Sequence, residues 1–168
     1  MDPFVIEKQF QDKWCWAAVS VSVARYFAPQ SLVTQCRVAL AVTGKTDCCG
    51  SRREHCNEPG DLTDALKAVQ RWKETRDEPL TFDDLQTEID NFRPVCVRIG
   101  WRGGGGHFVI VYGYRILSSG VQQVEVADPF FANSILSYNQ FVNAYGSAVQ
   151  PGGGQWTHTF LVRGAEGD

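Results

Sequence analysis

The fold class is decided by residues 94–128, PVCVRIGWRGGGGHFVIVYGYRILSSGVQQVEVAD, where the hydrophobic pattern changes its period. Residues 95–99 and 121–127 alternate between two faces, and residues 107–114 are rich in β-branched and aromatic side chains, which is typical of strands. A Ser-Ser-Gly run predicts the turn before the last of these strands. A closing strand is predicted at about 156–162, so this half of the chain is expected to form an antiparallel sheet.

Helical patterns dominate the residues that precede this stretch. Helices are predicted at 16–26, at 32–42, from 62 to about 72, in the segment that follows a Thr81/Asp84 capping box, and briefly at 138–145. Because helices come first and strands second, the class is α+β rather than a doubly wound parallel sheet. We expect one domain, 1–168, with a helical lobe of about 1–92, a sheet lobe of about 93–168 and a cleft between them.

Composition excludes several classes of protein. The 168 residues carry 16 Lys and Arg against 19 Asp and Glu, a net charge of −3, which argues against nucleic acid or an anionic membrane as a partner. No stretch approaches the roughly 18 apolar residues of a membrane helix, and the N-terminus lacks the pattern of a secretory signal. Six cysteines are many for a reducing cytosol, so we expect an exported protein, either secreted or delivered into a target cell.

Four of these cysteines, Cys36, Cys48, Cys49 and Cys56, fall in or beside a polar segment between two predicted helices. Disulfides, free thiols and a zinc site that includes His55 are the alternatives, although adjacent Cys48 and Cys49 lack the usual spacing of zinc ligands. We expect two disulfides and no metal. Cys48 and Cys49 are not expected to pair with each other, because a bridge between neighbours needs strained geometry.

Cys15 lies at the N-terminus of the first predicted helix, where the helix dipole and free N–H groups favour a thiolate. The alternative is a small buried residue between two tryptophans. A reactive thiol needs a base, and His107 is a better candidate than His55 or His158, because it starts a strand directly after the glycines 103–106. A surface histidine beside a glycine loop is the alternative.

The base needs a partner that orients its ring, and Asp128 ends the strand that returns towards His107. Followed by Pro129, Asp128 is also compatible with a simple turn that ends a strand. Gln9, six residues before Cys15, is a candidate amide donor to an oxyanion, and Gln11 is the second choice.

The other conspicuous residues have less specific interpretations. The glycine run 103–106 lacks the Lys-Ser/Thr of a phosphate loop, so no cofactor is expected and a mobile cleft wall is favoured. Cys96 alternates with two valines and is expected in the core. Trp101 is expected either in the cleft or packed elsewhere.

Taken in order, Gln9, the run Cys15-Trp16-Ala17-Ala18, the strand that begins at His107 and the pair Asp128-Pro129 resemble the papain-like cysteine peptidases. The similarity is greatest to the compact bacterial group with a Cys-Trp-Ala-Ala helix, and it covers about the whole chain. It implies Cys15 as nucleophile, His107 as general base and acid, Asp128 as the residue that orients His107, and Gln9 as oxyanion donor. The chain departs from the wider family in lacking the full Cys-Gly-Ser/Ala-Cys-Trp run and in having Asp128 where many relatives have Asn.

The sequence therefore predicts a monomeric cysteine endopeptidase that hydrolyses peptide or protein substrates through a thioester acyl-enzyme without a cofactor. One alternative keeps the fold but acts as a glutamine deamidase or a transglutaminase-like acyltransferase. The other is a non-catalytic module, or effector, that only binds a peptide.

Overall fold

The computed structural model describes residues 4–164, so the outermost residues of both predicted lobes lie outside the described part. Within 4–164 the helices are α1 (Cys15–Phe27), α2 (Gln35–Thr43), a 3-10 helix (Arg53–Cys56), α3 (Leu62–Ala68), α4 (Phe82–Asp90) and α5 (Tyr138–Ala144). The strands over the same residues are β1 (Trp72–Arg76), β2 (Val95–Trp101), β3 (Gly106–Ile116), β4 (Gln122–Ala127), β5 (Ser134–Ser137) and β6 (Gly154–Val162). The α+β class is confirmed.

The sheet is antiparallel throughout and has the strand order β1-β6-β2-β3-β4-β5. Its alternating side chains fill two cores. Cys96, Ile110 and Phe160 pack against α1 to α3 on one face, which confirms the core position of Cys96. Val97 and Val109 pack on the other face against α4 and α5.

Local signals set the starts of two helices. The Asp61 carboxylate accepts hydrogen bonds from the N–H groups of Thr63 and Asp64 at the start of α3. The Thr81 hydroxyl accepts from the N–H of Asp84 at the start of α4, as the capping pattern predicted.

The elements differ from the sequence-based expectations in several places. The third helix does not reach Trp72: it ends at Ala68, Gln70 takes a φ of +60°, and the N–H of Arg71 donates to the carbonyl of Leu66 at 2.8 Å. This turn ends the helix, and the chain continues as β1, which pairs with β6 at the edge of the sheet. The four-residue strand β5 was not expected, and α4, counted to the helical lobe, packs on the sheet lobe.

The cysteine-rich segment is closed by two disulfides, Cys36–Cys49 and Cys48–Cys56, so the prediction of two bridges without a Cys48–Cys49 bond is confirmed. The bridged segment packs against α1. The Trp14 indole donates to the Cys56 carbonyl at 2.7 Å, and the Trp16 indole donates to the Glu58 carbonyl at 3.1 Å. The disulfides therefore support the end of α1 on which Cys15 lies.

Removing the partly exposed bridge with the double substitution Cys36→Ser and Cys49→Ser is expected to lower the free energy of unfolding by about 2–3 kcal/mol, because it releases a closed loop in the unfolded chain. Removing Cys48–Cys56 is expected to destabilise more, since both sulfurs are fully buried. Urea unfolding under non-reducing conditions measures both effects. Equal stability of wild type and both variants, or four free thiols by mass spectrometry of the non-reduced protein, would contradict these disulfides.

Candidate active site

Cys15 is the first residue of α1, and no side chain caps this helix at Trp14. The N–H groups of its first turn are thus available to stabilise negative charge near the thiol. Cys15 is only 8% exposed, yet it lines a cleft of about 480 Å³. Its neighbours Trp14 and Trp16 are held by the disulfide segment, so the thiol has little freedom of position.

His107 lies at the start of β3 and is 6% exposed. Its Nε2 lies 2.8 Å from Oδ1 of Asp128, which directly follows β4. The Cys15 thiol interacts electrostatically with the same ring, and both residues line the cleft. Because Nε2 is engaged with Asp128, Nδ1 is the ring nitrogen left to face the sulfur.

Asp128 is 2% exposed, and both of its oxygens are satisfied by the protein. Oδ1 also accepts hydrogen bonds from the N–H groups of Phe130 and Phe131, at 2.8 and 2.9 Å, in the turn that follows β4. Oδ2 accepts a 2.6 Å hydrogen bond from the hydroxyl of Tyr145. Three hydrogen-bond donors besides His107 therefore hold the carboxylate in place.

Two aromatic residues enclose this hydrogen-bonded pair. Trp101 stacks on the His107 ring with a centroid distance of 6.0 Å and also on Tyr145 at 6.4 Å, which settles the open question of its location in favour of the cleft. Phe131 meets the His107 ring edge-on at 5.8 Å. Apolar rings on both sides keep water from the His107–Asp128 hydrogen bond and so strengthen it.

Sequence reasoning missed Tyr145, which it placed only at the end of a short helix. The residue reaches Asp128 because α5 packs against β6 and β4, and no motif spacing indicates this contact. Burial raises the pKa of Tyr145, and the charge of Asp128 raises it further. The hydroxyl accordingly remains protonated as a donor.

The pKa of His107 is set by opposing effects. Burial lowers it, but the hydrogen bonds to Asp128 and Cys15 and the charges of both raise it from 6.5 to about 9. Burial would raise the pKa of Asp128, but the hydrogen bond and charge of His107, with the hydrogen bonds from Tyr145 and Phe131, hold it below its usual value of 3.8. The site is therefore built for a protonated His107 beside a charged Asp128.

Gln9 also lines the cleft, and its backbone N–H donates to the carbonyl of Pro129 at 2.9 Å. Its side-chain Nε2 donates to the carbonyls of Gln11 and Asp12, at 2.9 and 2.8 Å. Its Oε1 is buried without a hydrogen-bond partner in the described part of the chain. Donation from Gln9 to an oxyanion therefore requires the exchange of one of these two hydrogen bonds. Gln11 is not among the residues that line the cleft.

The other two histidines considered from the sequence do not line this cleft. His55 is exposed on the 3-10 helix, and His158 lies on β6 with Nε2 3.5 Å from Oδ1 of Asp77. The glycine run forms the hairpin turn between β2 and β3, and Gly104 and Gly105 have φ values of +95° and +80° that favour glycine. Its last two residues, Gly105 and Gly106, line the cleft.

A helix-borne cysteine and a strand-borne histidine that line one cleft, with the helix packed on an antiparallel sheet, define the class of papain-like cysteine peptidases. A family model described as papain-like cysteine protease AvrRpt2 matches residues 2–146, and the chain belongs to this family. It is thus a papain-like cysteine protease, a hydrolase that acts on peptide or protein substrates, as the sequence predicted. No curated protein matches the chain. Within residues 4–164 no helix is long and apolar enough to cross a membrane.

The raised pKa of His107 has a consequence that NMR titration can measure. The ring signals are expected to titrate near pH 9 in wild type. In Asp128→Asn the midpoint is expected to fall by more than one pH unit, because the opposing charge is lost while burial remains. Since the folded pKa exceeds the unfolded value, protonated His107 stabilises the fold below pH 6.5, and this contribution disappears as the pH rises through about 9.

Asp77→Asn is the matched control, because it removes an exposed carboxylate beside His158 instead. It is expected to leave the His107 midpoint unchanged. A wild-type midpoint at or below 6.5, or equal midpoints in wild type and Asp128→Asn, would show that Asp128 does not support the charge on His107.

Proposed function

We propose that this protein is a cysteine endopeptidase that hydrolyses peptide bonds through a thioester acyl-enzyme on Cys15. The observation that carries the proposal is that Cys15 and His107 line one cleft, where His107 is hydrogen-bonded to the buried carboxylate of Asp128. A thiol beside a histidine that is itself held by a buried carboxylate is the arrangement that activates a cysteine nucleophile.

The reaction proceeds in two halves. The Cys15 thiolate adds to the peptide carbonyl carbon, and protonated His107 gives its Nδ1 proton to the departing amine as the C–N bond breaks. The thioester is then attacked by water, whose proton passes to His107. Breaking the C–S bond releases the carboxylic acid product and restores the Cys15 thiolate beside protonated His107.

Asp128 serves this cycle by position and charge. It fixes the ring so that Nδ1 faces Cys15, and its charge favours the protonated ring that the first half requires. Tyr145 and the turn at Phe130 and Phe131 hold the carboxylate in turn. Asp128 therefore acts as a positioning residue, since it is buried and is not among the residues that line the cleft.

The cellular setting belongs to the same proposal. The family is one of bacterial effectors, which supports delivery of this protein into a target cell. Two disulfides are consistent with an exported protein. We propose that the protein is a monomer that acts on a protein substrate. Because its net charge is −3, we propose that it associates with neither nucleic acid nor membrane.

The test is to incubate the protein with a mixture of proteome-derived peptides and to measure both new N-termini and released ammonia. New N-termini without ammonia are expected from wild type. Cys15→Ala and His107→Ala are expected to lose at least a thousandfold in rate, because each removes a group used in both halves of the cycle. Cys96→Ala, which removes the other free thiol from the core, is the control and is expected to retain turnover.

Ammonia release without cleavage would instead identify a glutamine deamidase or, with an amine acceptor, a transglutaminase-like enzyme. Peptide binding without any product would identify a non-catalytic module. Either result would refute the endopeptidase proposal.

Gln9→Ala is expected to lower kcat by about 10²–10³-fold, because it removes an oxyanion donor. Gln11→Ala is the matched control, and urea unfolding of both variants separates catalysis from loss of the turn that Gln9 braces. If Gln11→Ala alone is impaired, Gln9 is not the donor. If both variants turn over normally, backbone N–H groups hold the oxyanion.

A further inference from the structure

Arg98 is a cation of the cleft that the reaction described above does not use. It lies in β2, with Phe108 of β3 on one side and His158 of β6 on the other in the strand register. Its half-buried side chain lines the same cleft as Cys15 and His107. The guanidinium is thus available to a bound peptide.

The Arg98 side chain is held in place by its surroundings. Nη1 donates to the Thr157 hydroxyl at 3.0 Å. A Cβ built on Gly106 would lie only 2.8 Å from Nη2 and 2.9 Å from Cζ, so the guanidinium rests on the backbone of the residue directly before His107. A Cβ on Gly100 would lie 3.2 Å from Nη1. The Arg98 side chain therefore occupies a space that exists because residues 100 and 106 are glycines. The position of the guanidinium is set before any ligand binds.

The charge of Arg98 has no counterpart within the protein as described. The ion pairs found among residues 4–164 do not include it, and Thr157 takes only one of its five N–H bonds. The other charged groups at the cleft have opposite charges beside them, because Asp12 is next to Lys13 and protonated His107 lies between Asp128 and the Cys15 thiolate of the proposed mechanism. Arg98 is thus the charged side chain of the described cleft lining that has no opposite charge of its own.

We propose that Arg98 binds a carboxylate of the peptide substrate and so determines specificity, an inference that rests on the proposed peptidase function. A guanidinium fork binds a carboxylate through two parallel hydrogen bonds. The apolar walls formed by Trp16, Pro59 and Phe108 lower the local dielectric and strengthen this pair. The carboxylate belongs either to an Asp or Glu side chain at one substrate position or to a free C-terminus.

The experiment begins with the cleavage sites found in the peptide mixture and continues with synthetic peptides in matched pairs. One arm compares Asp or Glu with Asn or Gln at each position, with an amidated C-terminus. The second arm compares a free with an amidated C-terminus in peptides without acidic side chains. The kcat/KM ratio of each pair is measured in wild type, Arg98→Gln, Arg98→Glu and the control Arg102→Gln, whose exposed side chain does not line the cleft.

Wild type is expected to prefer the carboxylate about tenfold in one of the two arms, because charge-assisted hydrogen bonds are replaced by neutral ones. High salt is expected to reduce this preference. Arg98→Gln is expected to bring the ratio near one, Arg98→Glu to reverse it in favour of the uncharged member of each pair, and Arg102→Gln to keep the wild-type ratio.

Wild-type cleavage without a carboxylate preference in either arm would refute the role of Arg98 and leave the peptidase proposal intact, even if the Arg98 variants do not fold. A preference that survives Arg98→Gln would also refute it. Absence of any cleavage by wild type would refute the peptidase proposal itself.

Discussion

The hydrogen bond between His107 Nε2 and Asp128 Oδ1 joins two ionisable groups that are almost fully withdrawn from water. Burial of such charges is unfavourable unless they are paired and their other hydrogen-bonding sites are satisfied. The structure meets this requirement with the turn after β4 and with Tyr145, which α5 brings to the second carboxylate oxygen. The register of β3 on β4 and the packing of α5 are thus both constrained by this one pair.

The thiol side of the cleft depends on a different support. Cys15 is carried on α1, whose start is held by indole hydrogen bonds to the disulfide-bridged segment, while the rest of α1 packs on the sheet through β3. Gly60 belongs to this support, because a Cβ there would lie 2.4 Å from the Trp16 ring. The position of Cys15 relative to His107 therefore follows from how the bridged segment and the sheet each bind α1.

Sequence reasoning succeeded where the signal is local. A thiol at a helix start, a histidine at a strand start and an aspartate at a strand end each have a positional signature, and the structure brings Cys15, His107 and Asp128 together. It failed where long-range packing decides: β1 forms because β6 offers an edge, and Tyr145 reaches Asp128 only through the docking of α5. The pairing of the four cysteines and the hydrogen bonds of Gln9 likewise depend on contacts that no spacing specifies.

The most direct test of the account is to treat the native protein at pH 6 with an epoxide-type inhibitor of cysteine peptidases and to map the label by mass spectrometry. Six cysteines are present, of which four are bridged and Cys96 is fully buried with a raised pKa. We expect a single label on Cys15 and much slower labelling in His107→Ala. Labelling of Cys96 first, or labelling of Cys15 at the same rate with and without His107, would contradict it.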